Sequence, residues 1–195
     1  ELDGAKKALG YPLEPHFYVS EEVLAHYREA LTRGSQAETE WKKKFDEYRQ
    51  KQPDQAREFE RVMAGDLPEN WQDSVPTFPA DAKGLATRAA SGKVLNALAK
   101  ELPELIGGSA DLAGSNSVKL DNQSSFQKEN YGGRNIHFGV REHGMGAINN
   151  GLTQHGGLRS FVATFFVFSD YLRPALRLAA LSGIGDIWVF SHDSI

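Results

Sequence analysis

From Gly84 onward, short apolar runs alternate with longer helical stretches, and glycine gathers at the joints: 15 of the 19 glycines lie in residues 84–195. The spacing predicts helices over Leu85–Ala99, Glu142–Gln154 and Phe165–Leu181. It predicts strands over Leu102–Ile106, Ile136–Val140, Leu158–Ala163 and Ile187–Phe190. Strands separated by helices cannot close hairpins on one another, so this alternation is best satisfied by a parallel sheet with helices on its faces. The expected class is α/β. In such sheets ligands collect at the carboxyl ends of the strands, where Asp111, Glu142, Phe165 and His192 fall.

Residues 1–83 are built differently. They carry 17 acidic and 12 basic side chains, against 9 and 10 in residues 84–195. Val75-Pro76-Thr77-Phe78-Pro79 reads as a linker, since each proline lacks an amide donor and biases the preceding residue toward extended geometry. The expected division is therefore a helical segment 1–83 and an α/β domain 84–195. Ser20-Glu21-Glu22 predicts a capped helix start, and a second helix is expected from near Ser35, with Trp41, Phe45 and Tyr48 as a buried stripe. A third is expected from Asp54 to about Ala64, ending at Gly65.

Composition excludes several classes. A net charge of −4 argues against a nucleic-acid partner, and no apolar run approaches the roughly 20 residues of a membrane span. Cysteine is absent, which removes disulfides, thiolate metal sites and thiol nucleophiles. No basic and then apolar segment opens the chain, so the expected compartment is the cytoplasm.

Several residues could carry chemistry. Glu142 follows Gly139-Val140-Arg141 at a helix start, where it could simply stabilise the helix dipole or could be a partly buried carboxylate sharing a proton with a ligand nitrogen. Phe165, Phe168 and Tyr171 at i, i+3 and i+6 could present rings to a flat heterocycle or could be core. Gly107-Gly108-Ser109-Ala110-Asp111 follows an apolar run and could bring backbone amides to an anion, yet it lacks the lysine and hydroxyl of a phosphate-binding loop. Asp111 and Ser115 could equally be turn and loop residues. Arg88 is a candidate oxyanion clamp or a solvated helix arginine, and His192 could donate to a substrate. Ser191-His192-Asp193 in immediate succession is no catalytic triad, and no HExxH pattern suggests zinc.

Four segments taken together, Gly107-Gly108-Ser109-Ala110-Asp111-Leu112, Phe138-Gly139-Val140-Arg141-Glu142-His143-Gly144-Met145, Thr164-Phe165-Phe166-Val167-Phe168 with Tyr171, and Ser191-His192-Asp193-Ser194-Ile195, resemble transketolase in order and spacing. The resemblance covers roughly half of the chain, and residues 1–83 resemble the same enzymes' interdomain connection more loosely. It implies the thiamine diphosphate-binding fold, with residues 84–195 an incomplete pyrimidine-type domain. The implied activity is transfer of a two-carbon ketol unit from a ketose phosphate such as xylulose 5-phosphate to an aldose phosphate such as ribose 5-phosphate, in the pentose phosphate pathway.

By resemblance, Glu142 is the carboxylate that bonds the aminopyrimidine ring, promotes its imino tautomer and so helps generate the nucleophilic ylide. Phe165, Phe168 and Tyr171 form the ring pocket, with Phe168 stacking, and Asp111 and Leu112 belong to the cofactor site. Arg88, Ser115 and His192 match the residues that bind the sugar phosphate. Dihydroxyacetone synthase and a noncatalytic thiamine diphosphate-like binding module remain alternatives.

The resemblance also implies what lies elsewhere. The Gly-Asp-Gly pattern through which these enzymes hold magnesium or calcium and the diphosphate is not found here, so no metal ligands are expected within the chain. The expectation is a segment of a longer, homodimeric enzyme with its cofactor at the subunit interface, and a segment that cannot turn over substrate alone.

Overall fold

The computed structural model describes residues 1–193. Contacts divide the chain into two compact units, 1–56 and 57–195, with helix α3 (Pro53–Ala64) crossing the division.

The first unit holds α1 (Leu2–Ala8) and α2 (Glu21–Lys51). Ser20 caps α2, its hydroxyl accepting from the Val23 amide at 3.4 Å, and Glu21 and Glu22 occupy the first turn. The second helix expected from Ser35 is not separate, because α2 runs unbroken for 31 residues. Glycine in a helix interior costs only about 1 kcal/mol, and Gly34 is flanked by supporting pairs: Glu29–Arg33 at 3.4 Å and Glu38–Lys42 at 2.6 Å. The aromatic stripe is also not buried. Trp41 stacks on Phe45 with centroids 5.2 Å apart, yet Trp41 and Tyr48 are 52% and 41% exposed.

The second unit is a four-stranded, wholly parallel sheet of order β2-β1-β3-β4, formed by β1 (Leu105–Ser109), β2 (Asn135–His137), β3 (Arg159–Phe165) and β4 (Ile187–Ser191). Helix α4 (Thr87–Glu101) precedes the sheet and the short α5 (Ala113–Asn116) follows β1. Helices α6 (Glu142–His155) and α7 (Ser169–Ser182) make the β2-to-β3 and β3-to-β4 connections. Alternation along β3 divides the core between the two faces. Phe161 and Ala163 pack with Ala99, Leu102 and Leu120, whereas Val162 packs with Phe138, Met145 and Leu172. A parallel sheet needs cover on both sides, and all five residues of β1 are accordingly buried.

The first strand lies three residues later than its apolar run suggests. Leu102 instead ends α4, where half-buried Arg134 donates to the carbonyls of Ala99 and Leu102, each at 2.8 Å. Burial pushes the Arg134 pKa below its usual value. Gly107 and Gly108 are therefore strand residues and not an amide-presenting loop. A Cβ at Gly107 would run into the Phe161 carbonyl, and one at Gly108 into that of Ile136, so glycine permits the close approach of β1 to both neighbours.

Among the described residues no helix is long and apolar enough to cross a membrane.

Candidate functional site

The four strands all point their carboxyl ends the same way, and every candidate side chain except Arg88 lies at or beyond a strand end. After β1 the chain turns through Ala110 and Asp111, the latter at φ 60°, into Leu112 and α5. After β2 it passes Gly139, at φ 66°, and enters α6 at Glu142. Beyond β3 a 3-10 turn (Phe166–Phe168) leads into α7, and beyond β4 come His192 and Asp193.

These ends enclose a cavity of about 460 Å³ lined by Ala110, Asp111, Leu112, Val140, Glu142, Phe168 and Tyr171. Glu142 is 8% exposed and accepts a long hydrogen bond of 3.4 Å from Thr164 Oγ1, itself fully buried. The wall is aromatic. Phe168 lies between Phe165 and Tyr171, with centroids 6.0 and 5.9 Å away and planes tilted by only 24° and 27°. The three rings do not come from one helix, as the i, i+3, i+6 spacing suggests: Phe165 ends β3, Phe168 closes the 3-10 turn and Tyr171 is in α7. Asp193 pins the turn by accepting the Val167 amide at 2.7 Å.

A second group adjoins this wall. His192 meets Phe165 edge-on with centroids 4.9 Å apart, and Arg88 from the first turn of α4 donates to its ring, 3.1 Å from Nδ1. Exposed guanidinium, imidazole and hydroxyl groups are all donors to oxyanions. Ser115 is exposed on α5, and its neighbour Asn116 is hydrogen-bonded to Ser191, the neighbour of His192, at 2.7 Å. A larger cavity of about 950 Å³ lies between α4 and residues 113–123, but it collects neither the buried carboxylate nor the aromatic wall. Among the described residues no three His, Asp or Glu side chains are grouped as metal ligands.

The family model for the transketolase pyrimidine binding domain matches residues 83–195, more than half of the chain. The chain belongs to the transketolase family. A second model, the transketolase thiamine diphosphate binding domain, matches residues 1–68. The transketolase of Halalkalibacterium halodurans is 48% identical over 195 residues, and that of Nostoc sp. 50% over 196; each alignment covers the whole of this chain and 29% of the relative. The transketolase of Pichia stipitis, solved in complex with sedoheptulose 7-phosphate, superposes with a TM-score of 0.88 at 41% identity, covering 97% of this chain and 29% of that one. That of Leishmania mexicana gives 0.87 at 37% identity. The chain thus spans less than a third of the length of these relatives.

Of the residues singled out from sequence, the fold brings Glu142, Phe168, Tyr171, Asp111 and Leu112 to one cavity. It brings Arg88, His192 and Phe165 to the adjoining cluster. Ser115 makes no hydrogen bond to Arg88 or His192 among the described residues; its link runs through Asn116 and Ser191. Ser194 and Ile195, the end of the fourth transketolase-like segment, lie outside the described residues. Sequence reasoning passed over Thr164, Asn116, Val140 and the anchoring role of Asp193. The available signal was a polar residue inside an apolar or small-residue run beside a strand end, as at Thr164 and Asn116.

Proposed function

We propose that this chain forms the aminopyrimidine side of the thiamine diphosphate site in a transketolase. The enzyme transfers a two-carbon ketol unit between sugar phosphates, such as xylulose 5-phosphate and ribose 5-phosphate, in the pentose phosphate pathway. The observation that carries the reading is Glu142, a carboxylate buried at the start of α6 that opens onto a 460 Å³ cavity beneath Phe168. A flat, nitrogen-bearing heterocycle fits this donor set, since one face meets an aromatic ring and an edge nitrogen meets a carboxylate. Thiamine diphosphate, when bound, supplies the carbon nucleophile that a protein side chain cannot.

The chain's own residues then have distinct tasks. Glu142 holds or moves a proton at the ring nitrogen, in a cavity whose low polarity strengthens that interaction. Phe168 stacks, while Phe165 and Tyr171 keep water from the ring, and Asp111 and Leu112 border it. Arg88, Ser115 and His192 donate to the phosphate of the sugar.

Residues 1–83 act as a helical connector and 84–195 as the pyrimidine-type domain. A divalent ion and the diphosphate are held by residues outside this chain, a homodimer places the cofactor between subunits, and the enzyme works in the cytoplasm. The 195 residues by themselves do not turn over substrate.

The test is ketol transfer by the enzyme at the full length of its relatives, native against Glu142→Gln, with and without thiamine diphosphate. Loss of activity by a factor of about 10² to 10⁴, with cofactor affinity and folding retained, is the expected result. A folded, cofactor-saturated native enzyme that transfers nothing refutes the reading, whereas full activity in the variant refutes only the role of Glu142.

A further inference from the structure

Beneath the proposed phosphate donors lies a buried polar link. Asn116 is 1% exposed and both ends of its amide are used: Oδ1 accepts from Ser109 Oγ at 2.5 Å and Nδ2 donates to Ser191 Oγ at 2.7 Å. The Ser109 hydroxyl also lies 2.9 Å from the Ala163 carbonyl. One side chain thus connects α5 to the carboxyl ends of β1 and β4, and Ser109 carries the link on to β3.

The segment it anchors cannot hold its own position. Helix α5 has four residues, fewer than a stable nucleus requires, and it is bracketed by two non-glycine residues in the left-handed region, Asp111 at φ 60° and Ser117 at φ 57°. Such a conformation persists only where the surroundings enforce it. Ser115 and His192 each sit one residue from an end of the Asn116–Ser191 bond, so that bond sets the spacing of two donors that come from distant parts of the chain.

We propose that Asn116, acting with Ser191, is a positioning residue that sets Ser115 and His192 at the spacing a sugar phosphate requires. This rests on the reading of Arg88, Ser115 and His192 given above. Neither Asn116 nor Ser191 touches the substrate in this account. Their effect reaches it through the two donors, and an error in donor placement weakens phosphate binding without altering chemistry at the cofactor.

The experiment measures KM and kcat in the full-length enzyme with erythrose 4-phosphate and with unphosphorylated erythrose as acceptors. Ser191→Ala and Asn116→Ala are expected to raise KM for the phosphorylated acceptor about tenfold, leaving kcat and the KM for erythrose within about twofold. Ser191→Thr, which keeps a hydroxyl to accept the Asn116 amide, is expected to restore the native value. A parallel rise in both KM values, a fall in kcat alone, or no change in Ser191→Ala overturns the proposal. If Asn116→Ala does not fold, Ser191→Ala decides, since it removes a single oxygen. Arg88→Ala separates the two levels of the argument. Should it leave the preference between the acceptors unchanged, the phosphate-site reading falls and the positioning role with it; should it abolish the preference while Ser191→Ala is silent, only the positioning role falls.

Discussion

Arg61 and Arg159 form an ionic link to the buried Glu104, and its disruption is expected to be asymmetric. Glu104 has a side chain only 4% exposed and receives two hydrogen bonds from Arg61, at 3.1 and 3.0 Å, with Arg159 Nε a further 3.5 Å from Oε1. Arg61→Met leaves that carboxylate buried with one longer contact, and removing one partner of a buried pair costs about 3 to 5 kcal/mol. Glu104→Gln is milder. Arg61 keeps Glu58 at 2.5 and 2.9 Å and the Asp66 carbonyl at 2.6 Å, so the loss should be about 1 to 3 kcal/mol. The bonds to Glu58 first and Glu104 second raise the Arg61 pKa, and with Glu58 still in place the guanidinium stays charged in Glu104→Gln. Combining Arg61→Met with Glu104→Gln removes both charges together, and the double variant is expected to be more stable than Arg61→Met alone. Urea unfolding at constant m measures all three. Simple additivity of the single losses refutes the reasoning. Glu104 precedes β1 and Arg159 opens β3, which puts the link at the amino ends of the strands, away from Glu142. Cofactor affinity should therefore be unchanged in every variant that remains folded.

Phe168→Ala is expected to weaken thiamine diphosphate binding about tenfold by removing the central ring of the stack, as read by cofactor titration of the full-length enzyme. Gly108→Ala should destabilise the fold by about 3 kcal/mol through overlap with the Ile136 carbonyl, measured as a lower denaturation midpoint. The hydrogen bond from Arg61 holds the Glu58 carboxyl below its usual pKa. Its stabilisation is therefore present above the unfolded value of about 4.3 and is lost as pH falls through the lower folded value. Because the Glu58 side chain is 46% exposed, solvent screening limits this to below about 1 kcal/mol; Glu58→Gln should lower stability near neutrality and leave it unchanged well below the folded pKa.

The α/β class was legible because alternating apolar runs and helices admit few other arrangements, and Glu142 was legible as the residue that follows a strand and begins a helix. What could not be read depends on partners chosen by register. Leu102 belongs to an apolar run with Leu105 and Ile106, and only the capping of α4 by Arg134, 32 residues later, separates it from the strand. Trp41, Phe45 and Tyr48 have the spacing of a buried stripe, but spacing alone cannot show whether a second surface meets them. Thr164 meets Glu142 across 22 residues, Asp193 meets Val167 across 26 and Asn116 meets Ser191 across 75, and none of these pairs has a local signature.

Register also accounts for the shape of the site. The last β1–β3 pair is Ser109 with Ala163, whereas β3 and β4 remain paired through Phe165 and Ser191. The two strands on one side thus continue two residues past the end of β1, a step of about 7 Å at the usual rise per strand residue. Where β1 stops, Ala110, Asp111 and Leu112 turn away and border the cavity; where β3 continues, Phe165 and then Phe168 rise as its wall. The same step separates β1 from Ser191, and Asn116 crosses it. A flat sheet edge would offer the ring of a heterocycle no recess. The unequal strand ends supply one, with the buried carboxylate on one side and the Arg88–His192 pair at the higher edge.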